Sequence, residues 1–169
     1  VWYSTSTGNT ETVAGYIVEA AGGIPMNDIG DAKKDEIEGA DALIVGAPTW
    51  HTGADEQRSG TSWDEWLYDT LPSLNIEGKK VAVFGVGDQE SYGDNFCDAA
   101  GELYDLLKAK GAKMHGFTST EEYLHQDSKA LISESQFCGL MCDEDNQYDL
   151  SEVRAKAWIA QLKDEGFFA

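Results

Sequence analysis

Val1-Trp2-Tyr3-Ser4-Thr5-Ser6-Thr7-Gly8-Asn9-Thr10 reads as the end of a strand, a hydroxyl-rich turn and the opening of a helix. Beyond it Val13, Ala14, Ile17, Val18 and Ala21 recur at helical spacing, and Gly22-Gly23 stops the helix. The same unit returns along the chain. Asp41-Ala42-Leu43-Ile44-Val45-Gly46-Ala47-Pro48 is a continuous apolar run ended by a turn residue, and Trp63, Trp66, Leu67 and Leu71 mark a helix after it. Val81-Ala82-Val83-Phe84-Gly85-Val86-Gly87 is a second such run, followed by Phe96, Ala99, Ala100, Leu103, Leu106 and Leu107 on a helix that Gly111 ends. Ile24–Ile29 and Lys113–Phe117 read as weaker strands. Ala155, Trp158, Ile159 and Leu162 predict a last helix, with Ser151 as its N-cap. Strands that are apolar throughout and alternate with helices predict an α/β domain, a parallel sheet covered by helices on both faces. Residues 118–136 are polar and fit neither period. We read them as an insertion interrupting the last edge strand, with Phe137-Cys138-Gly139-Leu140 resuming the apolar pattern.

Composition narrows the partners. The chain has 169 residues, 31 of them acidic and 12 basic, for a net charge of −19. A chain of this length forms one domain, residues 1–169, with a core that needs no disulfide staples. Such acidity repels nucleic acid and anionic membranes and favours a basic protein partner. No apolar run approaches the roughly 20 residues of a membrane helix, so membrane insertion is not expected. Cys97, Cys138 and Cys142 are an odd number without scaffold spacing, which points to a reducing compartment. His51, His115 and His125 are too scattered to form a metal site, so no metal is expected.

Three segments carry chemistry, each directly after a strand. In Ser4-Thr5-Ser6-Thr7-Gly8-Asn9-Thr10, hydroxyls and the free N–H groups of a helix N-terminus invite an anion. The segment has no Lys, so it is not a nucleoside-triphosphate loop. It has no Cys for a cysteine phosphatase and no G-x-G-x-x-G for a dinucleotide. Neutral donors suit a phosphate monoester held without turnover; a Ser/Thr-rich turn that merely caps its helix is the alternative. In Pro48-Thr49-Trp50-His51-Thr52-Gly53, a Trp in a polar loop calls for something to stack on it or for packing over its own loop. In Gly85-Val86-Gly87-Asp88-Gln89-Glu90-Ser91-Tyr92-Gly93-Asp94-Asn95, glycines admit a flat ligand to the backbone and Tyr92 offers a second aromatic face. Open parallel sheets bind ligands at the C-terminal ends of their strands, where all three segments meet. Together they describe a site for a phosphorylated planar heterocycle.

Thr5-Ser6-Thr7-Gly8-Asn9-Thr10, Pro48-Thr49-Trp50-x-x-Gly53 and Gly87-Asp88-Gln89-x-x-Tyr92-x-Asp94-Asn95-Phe96 together resemble the three flavin-binding loops of flavodoxins, in order and across essentially the whole chain. The 118–136 insertion resembles the extra loop of the long-chain type. Gly53-Ala54-Asp55 through Arg58-Ser59-Gly60-Thr61-Ser62-Trp63-Asp64-Glu65 is closer to algal members. The resemblance implies a five-stranded parallel sheet of order 2-1-3-4-5, an FMN cofactor and no catalytic residues. It implies that Ser4, Thr5, Ser6, Thr7, Gly8, Asn9 and Thr10 surround the FMN phosphate, and that Trp50 and Tyr92 stack on the isoalloxazine. Pro48, Thr49, His51, Thr52, Gly53, Gly85, Gly87, Asp88, Asn95, Phe96 and Cys97 complete the implied cofactor-binding set. His51 departs from the Asn of many relatives, and a few residues are expected ahead of Val1. The implied activity is one-electron transfer at low potential, with an NAD(P)H:quinone reductase as the alternative. The implied partners are basic or locally basic redox proteins: ferredoxin–NADP reductase and the acceptor side of photosystem I, with the protein replacing ferredoxin when iron is short. A soluble monomer is implied, in the chloroplast stroma if algal and in the cytoplasm if bacterial.

Overall fold

The computed structural model describes residues 1–168. Strands β1 (Trp2–Tyr3), β2 (Asn27–Asp28), β3 (Ala42–Pro48) and β4 (Lys80–Val86) form a parallel sheet in the order β2-β1-β3-β4. The fifth position is shared. β5 (Lys113–His115) pairs with Lys80–Ala82 at the start of β4, and β9 (Gly139–Cys142) pairs with Val83–Val86 at its end, both parallel. The last strand is thus one strand in two pieces: the order is the 2-1-3-4-5 that the resemblance implies, with the interruption read from the polar stretch after residue 117.

The chain between the two pieces is more ordered than its polarity suggests. β6 (Thr118–Ser119), β7 (Leu131–Ser133) and β8 (Gln136–Phe137) form a small antiparallel sheet of order β6-β8-β7. Strands this short carry too little pattern to show a period in the sequence. The expected strand over Lys113–Phe117 ends at His115, because Gly116 takes φ +85° and turns the chain. The expected Ile24–Ile29 strand shrinks to Asn27–Asp28.

Side chains alternate across the sheet, which separates two cores. Leu43, Val45, Val81 and Val83 face one layer and Ile44, Ala82, Phe84 and Val86 the other. Helices α1 (Asn9–Ala20) and α5 (Tyr148–Asp164) cover the second face with Val13, Ala14, Ile17, Trp158, Ile159 and Leu162. On the first face lie α4 (Asp98–Ala109), with Ala99, Leu103 and Leu107, and α3 (Ser62–Glu65) with Trp63. A short helix α2 (Lys34–Glu38) buries Ile37 against that layer. The expected helix through Trp66, Leu67 and Leu71 does not stay α-helical. It runs through a π-type turn at Trp66–Thr70 into a 3-10 turn at Leu71–Ser73, where Pro72 blocks continuation.

Two close approaches fix this packing. The Trp63 indole donates to the Gly46 carbonyl at 2.7 Å, and a Cβ at Gly46 would lie 2.1 Å from the Phe84 ring. Only glycine lets β3 lie against the Phe84 ring at this point. Helix α5 begins at Tyr148, not at Ser151. Gln147 precedes it, anchored by Leu150 N–H to its carbonyl at 2.9 Å, and Ser151 is buried in the first turn. Gln147 prevails because its side chain already bonds Gln89 and Arg154.

Candidate functional site

The C-terminal ends of β1, β3 and β4 open into a cleft of about 510 Å³. Its polar end is the turn from β1 into α1. Thr5, Ser6, Thr7, Asn9 and Thr10 line it. Gly8 stands at the N-cap with φ +100°, a conformation that favours glycine, and its N–H bonds the Thr5 hydroxyl at 3.0 Å. The first N–H groups of α1 lack intrahelical partners by construction and carry the positive end of the helix dipole. Thr10 is 1% exposed, yet its hydroxyl has no hydrogen-bond partner among the described residues. A buried hydroxyl left unpaired is destabilising by about 1–3 kcal/mol, so this oxygen points to a ligand. Among the described residues no Lys or Arg lines the cleft.

The other end is aromatic. Trp50, after β3, and Tyr92, after β4, both line the cleft and remain 46% and 49% exposed. Rings of this size left half in water are the faces a flat heterocycle would cover. Each loop is tied down. Thr49 Oγ1 accepts the Ala99 N–H of α4 at 2.9 Å. Trp50 and His51 donate their N–H groups to the Arg58 carbonyl at 3.2 and 3.0 Å. Asp88 accepts from the Glu90 and Ser91 amides and from Asn146 Nδ2. Burial opposes its charge, but these hydrogen bonds outweigh that and hold its carboxyl below the usual range. The buried Gln89 donates to Asp143 from both its backbone and its side chain, at 3.0 Å each. Gly93 O accepts from Gln126 and Asp127, so the insertion braces the Tyr92 loop.

Of the expected residues, Thr5, Ser6, Thr7, Asn9, Thr10, Pro48, Thr49, Trp50, Gly87, Asp88, Tyr92 and Asn95 line the cleft together. Gly8 stands in the same turn between Thr7 and Asn9, and His51, Thr52 and Gly53 follow Trp50 along the cleft's rim; the side chains of the rest turn elsewhere. Ser4 is buried and donates to Asp28 at 3.2 Å. Gly85 lies in β4, where a Cβ would meet Ala100 at 2.7 Å and Met141 Sδ at 2.9 Å, so it serves packing. Phe96 and Cys97 are fully buried in the core, Cys97 as the left-handed N-cap of α4. Burial pushes the Cys97 thiol well above its usual range, and those of Cys138 and Cys142 up to about 12. His51 turns its ring away to the Gln57 carbonyl, with Nδ1 at 2.6 Å. Thr52 and Gly53 continue that exposed loop. Val86, Ser91 and Asp145 line the cleft and were not expected. Asp145 follows β9, the upper half of the interrupted last strand; the rule that ligands meet strand C-termini, applied to the end of that resumed strand as it was to β1, β3 and β4, would have found it. Burial, then the nearby Asp88 and Asp143 charges, push its carboxyl up.

A planar molecule with a phosphate at one end fits this donor set: hydroxyls, helix amides and an orphaned buried oxygen at one end, aromatic faces at the other. The volume is within the usual range for cofactor clefts. The comparisons agree with the geometry. Residues 1–158 match the flavodoxin family model. A flavodoxin of Synechococcus elongatus is 44% identical over 168 residues, covering 98% of this chain and 95% of that one. One of Synechocystis is 43% identical, covering 96% and 94%. The crystal structure of Fusobacterium nucleatum flavodoxin bound to flavin mononucleotide superposes with a TM-score of 0.85 at 31% identity, covering 97% of this chain and 95% of that one. Fold, cleft and relatives converge: the chain belongs to the flavodoxin family.

Proposed function

We propose that this flavodoxin carries single electrons between larger redox proteins on a noncovalently bound FMN, and that it is an electron-transfer protein rather than an enzyme. The observation that carries the reading is the pairing, in one cleft, of the unpartnered Thr10 hydroxyl with the half-exposed Trp50 and Tyr92. Thr5, Ser6, Thr7, Asn9 and Thr10 would hold the phosphate, with the first N–H groups of α1 facing it. Trp50 and Tyr92 would flank the ring system and exclude water from it. Asp88, held below the usual carboxylate range by its hydrogen bonds, keeps its charge near the cleft and disfavours added negative charge there. Bound FMN supplies a centre that takes up and releases electrons one at a time. The peptides of His51-Thr52-Gly53 carry carbonyls that can accept a proton-bearing nitrogen at the ring edge. Gly53, at φ +80°, gives that backbone room to turn.

The partners that fit a −19 chain are basic or locally basic, with ferredoxin–NADP reductase and the acceptor side of photosystem I as the specific proposals. Among the described residues no helix is long and apolar enough to cross a membrane. The long-chain form is supported by the split fifth strand and the small sheet between its halves. A quinone reductase needs a free flavin face for nicotinamide, and Trp50 and Tyr92 both line this cleft. The test is the absorption spectrum of the purified protein: flavin bands, one FMN per chain, released by denaturation. A colourless protein that takes up no FMN refutes the proposal.

A further inference from the structure

Helix α4 carries a charged residue on its buried face. Glu102 lies between Ala99 and Leu103, both in the core, and is itself only 4% exposed. Carboxylates are almost never buried so deeply without partners. Three donors converge on this one. Gln57 N–H reaches Oε2 at 2.7 Å, Arg58 N–H reaches Oε1 at 3.0 Å, and the Tyr68 hydroxyl reaches Oε2 at 2.5 Å. The two amides are consecutive, and Gln57 holds φ +53°, a left-handed conformation unusual for a residue with a side chain. Among the described residues, none of 54–60 joins either hydrophobic core, and the buried Ser59 side chain is polar. Polar bonds therefore hold the segment: Glu102 in its middle, and Asp64 on the Ser59 and Gly60 amides at its end.

The carbonyls of the same two residues face the cleft loop. The Arg58 carbonyl accepts the N–H groups of Trp50 and His51, and the Gln57 carbonyl meets His51 Nδ1. A Cβ at Gly60 would lie 2.9 Å from Trp50 Cβ, so the segment also packs directly behind the indole. We propose that Glu102 is a positioning residue for the Trp50 side of the cleft: its carboxylate fixes the Gln57–Arg58 peptides, whose carbonyls fix Trp50 and His51. It touches no part of the cleft itself, and its effect passes through two backbone units. This inference rests on the cleft being the flavin site only for its redox consequence; the mechanical link is independent of any ligand.

The link is tested with Glu102→Ala, Glu102→Gln and Tyr68→Phe, each as full-length apoprotein and holoprotein. In the apoprotein, amide hydrogen exchange at Trp50 and His51 should speed up at least ~10-fold in Glu102→Ala, against unchanged exchange within β4. In the holoprotein, FMN affinity should fall about tenfold. The gap between the two one-electron potentials should move by about 59 mV, the equivalent of tenfold for one electron. Glu102→Gln turns a donor toward an amide and should show most of the effect, and Tyr68→Phe the least. Should Glu102→Ala not fold, Glu102→Gln carries the test. A lower unfolding midpoint with Trp50 and His51 exchange and the potential gap both unchanged would overturn the proposal, leaving Glu102 as a core anchor only. If the wild type bound no FMN, the flavin reading would fail alone, and the exchange at Trp50 and His51 would still decide the clamp.

Discussion

Thr10→Val separates the ligand's share of the site from the fold's. The two side chains have nearly the same shape, and both are β-branched, so the helix is little affected. What changes is one hydroxyl, buried and without a partner in the protein. A hydrogen bond to a charged acceptor contributes about 1.5–3 kcal/mol, and 1.4 kcal/mol is tenfold in affinity. FMN should therefore bind the variant one to two decades more weakly. Riboflavin has no phosphate, so its affinity should be nearly unchanged. The apoprotein should respond in the opposite sense, because a buried hydroxyl without a partner is a destabilising element that the methyl removes. Its urea midpoint should hold or rise. Fluorescence titrations of apoprotein with FMN and with riboflavin, beside urea unfolding curves, give all three numbers. Equal losses for both flavins, or an apoprotein destabilised as much as FMN binding is weakened, would show that Thr10 supports the turn and not a phosphate.

Other outcomes follow from the same geometry. Gly53 sits at φ +80°, and a Cβ added there would meet nothing within 4 Å, so Gly53→Ala adds conformational strain and no clash. The left-handed penalty of about 1–2 kcal/mol should narrow the gap between the two one-electron potentials by roughly 40–80 mV with oxidised FMN still bound; coincident gaps in a potentiometric titration would refute the role of this peptide. Electron transfer to a basic partner should slow as salt shortens the screening length from about 30 Å at 0.01 M to about 3 Å at 1 M, and a rate indifferent to salt would make the −19 charge a matter of solubility only. Asp98 is 1% exposed, and burial raises its pKa above 3.8 despite the Lys129 N–H bond and the Lys129 and Arg58 charges. The folded state then binds the extra proton, so stability falls as pH rises through the window from 3.8 to the raised value. Asp98→Asn should be the more stable protein at neutral pH, with the advantage vanishing as pH drops to about 4; an advantage constant with pH in denaturant titrations contradicts this.

The parts legible in the sequence were those with repeated signals. β3 and β4 are seven-residue strands, apolar throughout in β3 and after Lys80 in β4, buried on both faces, and α1 and α4 show their apolar stripe plainly. The loops after β1, β3 and β4 follow from strand polarity, and most of the residues expected in them line the cleft. Residues whose roles depend on distant partners were not legible. Asp145 reaches the cleft only because β9 completes the interrupted strand. Ser151 has the chemistry of an N-cap, but Gln147 is held by side chains from Gln89 and Arg154, which no local pattern reveals. Phe96 and Cys97 adjoin the Tyr92 loop in sequence yet are fully buried in the core just after the 3-10 turn at Gly93–Asn95. Glu102 was hidden because the two amides it accepts, those of Gln57 and Arg58, lie more than forty residues earlier in the chain.

The central claim is that the cleft holds FMN as a one-electron carrier closed to nicotinamide. An anaerobic reductive titration of the holoprotein, followed by absorbance, tests it most directly. The account predicts two separated one-electron steps with a low-potential donor and no bleaching of the flavin by NADPH alone. Rapid bleaching by NADPH, or a single two-electron step, would contradict it.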